Sequence, residues 1–429
     1  KLVTNFTVTE NIILGIESKT KLGLLDLKKA EKRVQELSDQ YGLRVNPKAR
    51  IEDISVGMQQ RVEILKMLYR NADILILDEP SAVLTPQEID DLMAIIRRLK
   101  EEGKTIILIT HKLKEIKAVA DRCTVLRRGK HIDTVEVKDV SEEKMAEMMV
   151  GRPVRFDIDK KPLETGKIIL SVKDLQVKDY RGHFAIQDLS FAVKEGEIFG
   201  IAGVDGNGQT ELIYALTGLS AIESGTIYLN DKDITKQSIK ERIQSGVGHI
   251  PEDRHKHGLV LDFSLGENAI LKNYNTDQFS NKIGVLQNSL ISDYTKSLIK
   301  EYDIRVGEGV IQKAKNLSGG NQQKLIIARE VALSPDLLIV AQPTRGLDVG
   351  AIEYIRKRLV EERDKGRAIL LISFELEEIM SLCDRIAIIS KGEFAGIFNE
   401  DELTESEIGF MMAGSHTKTE KINEEVIDE

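Results

Sequence analysis

The chain has 429 residues, of which 41% are hydrophobic and 31% charged, and its formal net charge is −9. This composition is typical of globular domains, and the interspersed charges form no basic surface for nucleic acid or anionic lipid. The longest apolar runs are far shorter than the roughly 18 residues that a membrane-spanning helix needs. The length predicts two or three domains, each with its own buried core.

The chain opens at Lys1 with neither an initiating methionine nor a secretory signal, so we expect it to start within a longer protein. Cys123 and Cys383 lie far apart and lack the spacing of metal ligands. They predict structural thiols in a reducing cytoplasm.

Two adjacent carboxylates, Asp78 and Glu79, follow the short apolar run at 74–77, which predicts a buried strand. Ligand sites of α/β sheets lie at such strand ends. We assign Asp78 to Mg²⁺ and Glu79 to the general base that polarises an attacking water. Two exposed acids without a catalytic role are the alternative interpretation.

A glycine-rich loop begins at Gly203, after the apolar run 198–202 and before a helical pattern. Strand, loop and helix in this order predict a phosphate-binding loop, whereas the glycines alone would fit a tight turn. Gln209 stands where such loops carry a lysine, so we expect the loop to hold a nucleotide and to cleave it poorly. The predicted nucleotide-binding residues are Gly203, Val204, Asp205, Gly206, Asn207, Gly208, Gln209 and Thr210, with Thr210 also offered to Mg²⁺.

The second half of the chain repeats motifs of the first half. Residues 55–61 (SVGMQQR) resemble 318–324 (SGGNQQK), residues 73–80 resemble 336–343, and His111 aligns with Phe374, each at a spacing of 263. One register over three blocks predicts a duplicated unit. Because of this register, His111 is interpreted as a γ-phosphate contact, although a lone histidine is more often a core or surface residue.

The repeat also sets the domain boundaries. Glu10 corresponds to Glu267, a spacing of 257, and the second copy begins near Ile168, whose counterpart would be 168 − 257 = −89. We therefore expect the first copy to lack its phosphate loop. The predicted organisation is a first domain at 1–150, a linker at 151–166, a second domain at 167–414 and a charged tail at 415–429. Apolar runs that alternate with helical patterns predict an α/β fold with mainly parallel sheets.

Catalytic residue types are missing from the second copy. Ala341 and Gln342 replace Asp78 and Glu79, and neither can accept a proton or supply a formal charge to a metal. Loss of a general base alone lowers a rate by roughly 10²–10⁴. Together with Gln209 and Phe374, these positions predict a second site that does not hydrolyse.

The blocks together resemble the ABC ATPase family, whose signature is similar to residues 317–324 (LSGGNQQK). The resemblance covers nearly the whole chain and implies two tandem cassettes, each with a P-loop sheet and a helical signature subdomain. In this family two cassettes pair head to tail. Each ATP is held between the Walker motifs of one cassette, which are its phosphate loop and its acidic strand end, and the signature of the other. Ser318 is expected to cap a helix whose N–H groups face an anion. The resemblance implies further ATP contacts from Ser318, Gly319, Gly320, Gln322 and Asp348, and from Ser55 and Gly57 in the other pairing.

This pairing puts the intact catalytic residues in one site and the positions where they are replaced in the other. Asp78, Glu79 and His111 would face the intact signature at Ser318. The replaced residues of the second copy, which are Gln209, Ala341, Gln342 and Phe374, would face the altered signature at Ser55. We therefore expect turnover at the first site and retained ATP at the second. Two further assignments are Glu252 as a metal contact at the second site and Tyr180 as a stacking partner for adenine, for which a surface aromatic is the alternative.

Fused, asymmetric cassettes of this kind resemble the ATPases of simple-sugar importers, and residues 203–209 and 341–350 look most like those of bacterial nucleoside importers of the basic-membrane-lipoprotein class. The resemblance implies ATP and Mg²⁺ as cofactors, two integral-membrane permeases, an extracellular lipid-anchored substrate-binding protein and a place at the cytoplasmic face of the plasma membrane. Nucleic acid is not an expected partner. Import of a simple sugar such as ribose or galactose is the alternative. A tandem-cassette ATPase acting on ribosomes is a rival from another class, but it would keep catalytic carboxylates in both halves.

Overall fold

The computed structural model describes residues 2–19, 24–54, 56–81, 84, 86–127, 129–153, 160–162, 166–400 and 402–412. The chain divides into two compact units, Lys1–Pro153 and Val154–Glu429. The division lies within the segment expected to be a linker, and the expected tail at 415–429 lies outside the described residues. Within the described ranges, no helix has the length and apolar character needed to cross a bilayer.

The first unit combines two small sheets with helices. Strands β1 (Ile74–Asp78) and β2 (Thr105–Ile109) pair in parallel, and β3 (Arg122–Arg127) and β4 (Lys130–Glu136) pair antiparallel. The helices of this unit are α1 (Val8–Ile13), α2 (Leu27–Tyr41), α3 (Val56–Tyr69), α4 (Pro86–Glu101), α5 (Leu113–Val119) and α6 (Glu142–Val150).

One face of the β1–β2 sheet is buried and the other is exposed. Leu75 and Leu77 point into a core that α3 and α4 complete, whereas Ile74 and Ile76 are 61% and 59% exposed. The continuous apolar run of β1 predicts that both of its faces are buried. For the described residues this prediction is wrong. In the second unit the helix Gln209–Thr217, which follows the phosphate loop, and an antiparallel sheet cover the corresponding face, and the described part of the first unit contains no counterpart of them.

The second unit contains a six-stranded sheet in the order β10-β11-β12-β7-β13-β14, in which only β14 runs antiparallel to its neighbour, and a four-stranded antiparallel sheet in the order β6-β5-β8-β9. The strands are β5 (Ile168–Lys178), β6 (Phe184–Lys194), β7 (Ile198–Ala202), β8 (Ser224–Leu229), β9 (Lys232–Asp233), β10 (Val247–Ile250), β11 (Leu337–Ala341), β12 (Ala368–Ser373), β13 (Arg385–Ser390) and β14 (Glu393–Asn399). The helices are α7 (Gln209–Thr217), α8 (Ile239–Gln244), α9 (Leu265–Ala269), α10 (Asn288–Glu301), α11 (Gly319–Ala332), α12 (Val349–Arg363), α13 (Leu376–Leu382) and α14 (Glu405–Met412).

Packing on both faces explains the apolar runs of the second unit. Every residue of β7, β11 and β12 is buried. One core lies between the large sheet, the antiparallel sheet and α7, and the other lies between the large sheet and α9 to α14. Because β7 runs parallel to β12, which runs parallel to β11, their carboxyl ends meet at one edge of the sheet. The predicted α/β fold with a mainly parallel sheet is confirmed.

Candidate functional site

The phosphate loop connects β7 to α7, as the glycine pattern predicts. Gly206 and Gly208 have φ angles of 86° and 102°, a region that residues with a Cβ rarely adopt. A Cβ on Gly208 would also collide with the carbonyl oxygen of Ala185 on β6. The loop therefore requires glycine at 208 for both backbone conformation and space, and α7 begins with its N-terminus at the loop.

Gln209 folds back into this loop instead of extending from it. Its side chain is 3% exposed, Nε2 donates to the carbonyl of Val204 at 3.1 Å, and Oε1 accepts from the backbone N–H of Asn207 at 3.2 Å. A Cβ on Gly203 would lie 2.5 Å from Gln209 Nε2, so glycine makes room for the amide. The loop thus contains a neutral amide at the position of the usual lysine, and one of its N–H groups is bound internally.

The oxygen-bearing side chains of Thr210 and Glu252 lie together beside the loop. The Thr210 hydroxyl donates to Glu252 Oε1 at 3.4 Å, and Glu252 follows β10. Burial, followed by the negative charge of Asp205, raises the pKa of the Glu252 carboxyl. No group of three His, Cys, Asp or Glu side chains among the described residues is placed to hold a metal. Mg²⁺ bound with a nucleotide needs only one or two protein oxygens, and Thr210 and Glu252 fit that requirement.

In the first unit the structure brings Glu79 and His111 together. Glu79 follows β1, His111 follows β2, and Nδ1 of the histidine lies 3.1 Å from Oε1 of the glutamate. Glu79 has a φ of 43°, and its N–H donates to the carbonyl of Ile109 at 2.8 Å, which fixes the turn at the strand end. Asp78 is exposed at the last position of β1, opposite Ile109. The acid pair and the histidine therefore share one edge of the β1–β2 sheet.

In the second unit, the turn after β11 has the same backbone conformation as the turn after β1 but different side chains. Gln342 has a φ of 47°, and its N–H donates to the carbonyl of Ile372 at 2.8 Å, as Glu79 does to its own neighbouring strand. Its Oε1 accepts from the N–H of Phe374 at 3.2 Å, and its buried Nε2 has no hydrogen-bond partner among the described residues. The turn is retained, but it presents a neutral amide beside a phenyl ring.

The signature helix α11 differs from the sequence expectation at its start. Ser318 occupies the N-cap position with an extended backbone, but its side chain makes no capping hydrogen bond. Its hydroxyl accepts from Asn321 Nδ2 at 2.8 Å instead. The predicted capping bond is therefore wrong, because Asn321 competes for the hydroxyl. The first turn at Gly319 and Gly320 is left without a side-chain cap, which favours an anion there.

Gln322, expected to contact ATP, points into the second unit. Its side chain is 5% exposed, Oε1 lies 3.0 Å from His255 Nε2, and Nε2 donates to the carbonyl of Ala314 at 3.0 Å. These contacts hold α11 against the π-helical turn Arg254–Gly258. In this structure Gln322 positions the signature helix, and its amide is taken up by internal partners.

The remaining predicted residues are distributed as follows. Asp348 is exposed and caps α12, with its side chain accepting from Ala351 N at 2.9 Å. Tyr180 is 94% exposed, with the Arg181 guanidinium 5.4 Å from the ring centre, so its role with adenine stays a prediction. Gly57 is buried in the first turn of α3, and Ser55 lies outside the described residues.

Sequence reasoning missed two buried carboxylates, Glu115 on α5 and Glu378 on α13, which are 3% and 0% exposed. Their spacing, 378 − 115 = 263, is the register of the repeat. An acid retained at equivalent positions of both copies was the signal that could have revealed them.

The fold and these residues define a pair of ABC-type ATPase cassettes. A profile of the family described as ABC transporter matches residues 1–82 and 186–345. The chain is 56% identical to the nucleoside import ATP-binding protein NupA of Lactococcus lactis subsp. cremoris over 97% of its length and 81% of that protein. It is equally 56% identical to the guanosine import ATP-binding protein NupO of Bacillus subtilis, with the same coverage of both chains.

A more distant relative is the glucose import ATP-binding protein TsgD13 of Haloferax volcanii, which is 40% identical over 97% of this chain and 81% of that protein. The chain belongs to the ABC transporter family and is an ATPase subunit of that family.

Proposed function

We propose that this chain couples ATP hydrolysis to the import of nucleosides. The proposal of a nucleoside substrate is supported by the 56% identity to two proteins named for nucleoside and guanosine import, against 40% to a protein named for glucose import. A simple sugar such as ribose or galactose is the alternative. In this proposal the two cassettes occupy 1–150 and 167–414, and 151–166 joins them.

The observation that carries the catalytic part of the proposal is the contact between Glu79 and His111 at 3.1 Å. The equivalent turn of the second unit has Gln342 and Phe374, which cannot take up or transfer a proton. Hydrolysis therefore belongs to the site that contains Glu79. The signature residues Ser318, Gly319 and Gly320, together with Asp348, complete this site in the proposed head-to-tail pairing. Ser55 and Gly57 serve the other site.

Bound Mg-ATP supplies the phosphates and a metal ion that neutralises their charge. Asp78 holds the metal from the end of β1, and Glu79 accepts the proton of the attacking water. His111 orients the Glu79 carboxylate and contacts the γ-phosphate. At the second site the loop from Gly203 to Thr210 holds the phosphates, and Glu252 assists Thr210 at the metal. Because Gln209 carries no charge, this site retains nucleotide without cleaving it.

The substitution Glu79→Gln tests the catalytic assignment in the assembled transporter. It keeps the shape of the side chain and removes the general base, so the ATPase rate is expected to fall by roughly 10²–10⁴. The reciprocal substitution Gln342→Glu at the equivalent position is the control. It is expected to change the rate by less than about threefold, because Gln209 and Phe374 remain. A Glu79→Gln transporter that hydrolyses ATP at the original rate rules out this assignment.

The proposed partners are two integral-membrane permeases and an extracellular lipid-anchored binding protein, with this chain at the cytoplasmic face of the membrane. The substrate is tested by uptake of labelled guanosine and labelled ribose into cells that contain the assembled transporter. We expect the cells to take up labelled guanosine. Unlabelled nucleosides should suppress this uptake, and unlabelled ribose should not. Uptake of ribose alone favours the sugar alternative.

A further inference from the structure

A buried carboxylate lies beneath the two loops that carry Glu79 and His111. Glu115 is 3% exposed, and its side chain accepts hydrogen bonds from the hydroxyl groups of Ser81 and Thr110, the latter at 3.0 Å. Ser81 follows Glu79 by two residues, and Thr110 directly precedes His111. One carboxylate therefore joins the two loops whose functional side chains meet 3.1 Å apart.

The same three residue types, an acid and two hydroxyl residues, occupy equivalent positions of the second unit. Glu378 is fully buried, and Thr344 and Ser373 lie where Ser81 and Thr110 lie in the first unit, each 263 residues later. In contrast to Glu115, neither carboxylate oxygen of Glu378 has a hydrogen-bond partner among the described residues, and the Ser373 hydroxyl accepts from the backbone N–H of Glu375 at 3.1 Å. Serine and threonine have exchanged places between the units, whereas the acid and the two hydroxyl groups are the same.

The two carboxylates also differ in the charge near them. Arg356 Nε lies 3.9 Å from Glu378 Oε1. The corresponding residue of the first unit is Met93, which is 3% exposed in α4. At the repeat position of this cation, the first unit has an uncharged thioether. Among the described residues, the hydroxyls of Ser81 and Thr110 bind the Glu115 carboxylate, so a change at Glu115 acts on these loops directly.

We propose that Glu115 is a positioning residue for ATP hydrolysis. It holds the loop after Glu79 and the loop before His111 at the separation that lets their side chains act together. The inference rests on the assignment of Glu79 and His111 made under the proposed function. A misplacement of about 1 Å lowers a reaction rate by roughly a hundredfold, so loosening this connection reduces kcat more than it changes KM for ATP.

The test measures ATP hydrolysis by the assembled transporter with Glu115→Ala and Glu115→Gln. Glu115→Ala is expected to lower kcat by about ten- to a hundredfold and to change KM for ATP less than about threefold. Glu115→Gln retains an acceptor for one hydroxyl and is expected to restore part of kcat. Glu378→Ala makes the same cavity beneath loops that carry Gln342 and Phe374, and it is expected to lower kcat less than about threefold.

Two results would overturn the inference. The first is a Glu115→Ala transporter with unchanged kcat, and the second is an equal loss of kcat in Glu378→Ala, which shows that either cassette needs the acid only to fold. If the Glu115 variants do not assemble, Thr110→Val and Thr110→Ser form a matched pair. The valine removes the hydroxyl and is expected to lower kcat, whereas the serine keeps it and is expected to retain kcat; equal kcat values in the two variants also overturn the inference.

The outcome also separates this inference from the proposed function. An active Glu79→Gln transporter overturns the catalytic assignment itself. An inactive Glu79→Gln transporter combined with a fully active Glu115→Ala transporter overturns only the positioning role.

Discussion

His249 on β10 is expected to make the second unit sensitive to acid. Its Nε2 atom is buried without a hydrogen-bond partner among the described residues, and its backbone N–H donates to the buried carboxylate of Glu330 at 3.2 Å. Burial lowers the pKa of His249 to about 4. The nearby charges of Lys272, His257 and Arg329 also lower this pKa, whereas Glu330 raises it.

The folded chain therefore keeps His249 neutral at pH values where the unfolded chain, with an ordinary histidine pKa of 6.5, takes up a proton. The stability that follows is complete above pH 6.5 and is lost as the pH falls from 6.5 toward 4, because only the unfolded chain binds the proton there. At pH 5.0 the interval is about 1.5 pH units, which corresponds to about 2 kcal/mol of unfolding free energy at roughly 1.36 kcal/mol per unit.

Urea unfolding at pH 7.5 and pH 5.0 measures this effect. The chain has no tryptophan and seven of its nine tyrosines belong to the second unit, so tyrosine emission mainly follows that unit. The wild type is expected to lose about 2 kcal/mol more than His249→Gln between the two pH values. His183→Gln removes an exposed histidine of the same unit and should behave like the wild type. An equal acid loss in His249→Gln and the wild type refutes the reasoning.

Two further predictions concern the nucleotide sites. His111→Ala is expected to lower kcat by at least roughly 10²-fold, because Glu79 loses its neighbour, whereas Phe374→Ala is expected to lower kcat by less than about threefold. Phosphate release by the assembled transporter compares the two variants. Equal losses of kcat contradict the prediction. Glu252→Ala is expected to weaken the Mg²⁺-dependent retention of nucleotide beside Thr210, measured with labelled ATP before and after chelation of the metal. Unchanged retention contradicts the role of Glu252 at the metal.

Residue type and spacing were sufficient to locate the main motifs. The turns at Glu79 and Gln342 have φ angles of 43° and 47° and equivalent backbone hydrogen bonds, as the register of 263 implies. The phosphate loop lies between its strand and helix because glycines at 206 and 208 allow the required backbone. These features depend on local conformation and on the repeat, and both are readable in one sequence.

Side-chain partners were harder to predict. Ser318 was expected to cap α11, but Asn321 takes its hydroxyl. Gln322 lies beside His255, which is 67 residues away in the chain, and this partner was not predicted; its contact with ATP stays a prediction. Such partners depend on which segments the fold brings together, so spacing within one motif does not reveal them.

The sequence by itself determined that the chain has two related cassettes with unequal chemistry, because the loss of charge at Gln209, Ala341 and Gln342 is a property of residue type. Only the tertiary structure decided which side chains touch. Glu79 meets His111 because β1 and β2 are adjacent and parallel, and Glu115 lies beneath both because α5 packs behind their loops. Contacts between separate strands and helices depend on how the sheet and its helices pack, and this information is spread over the whole core.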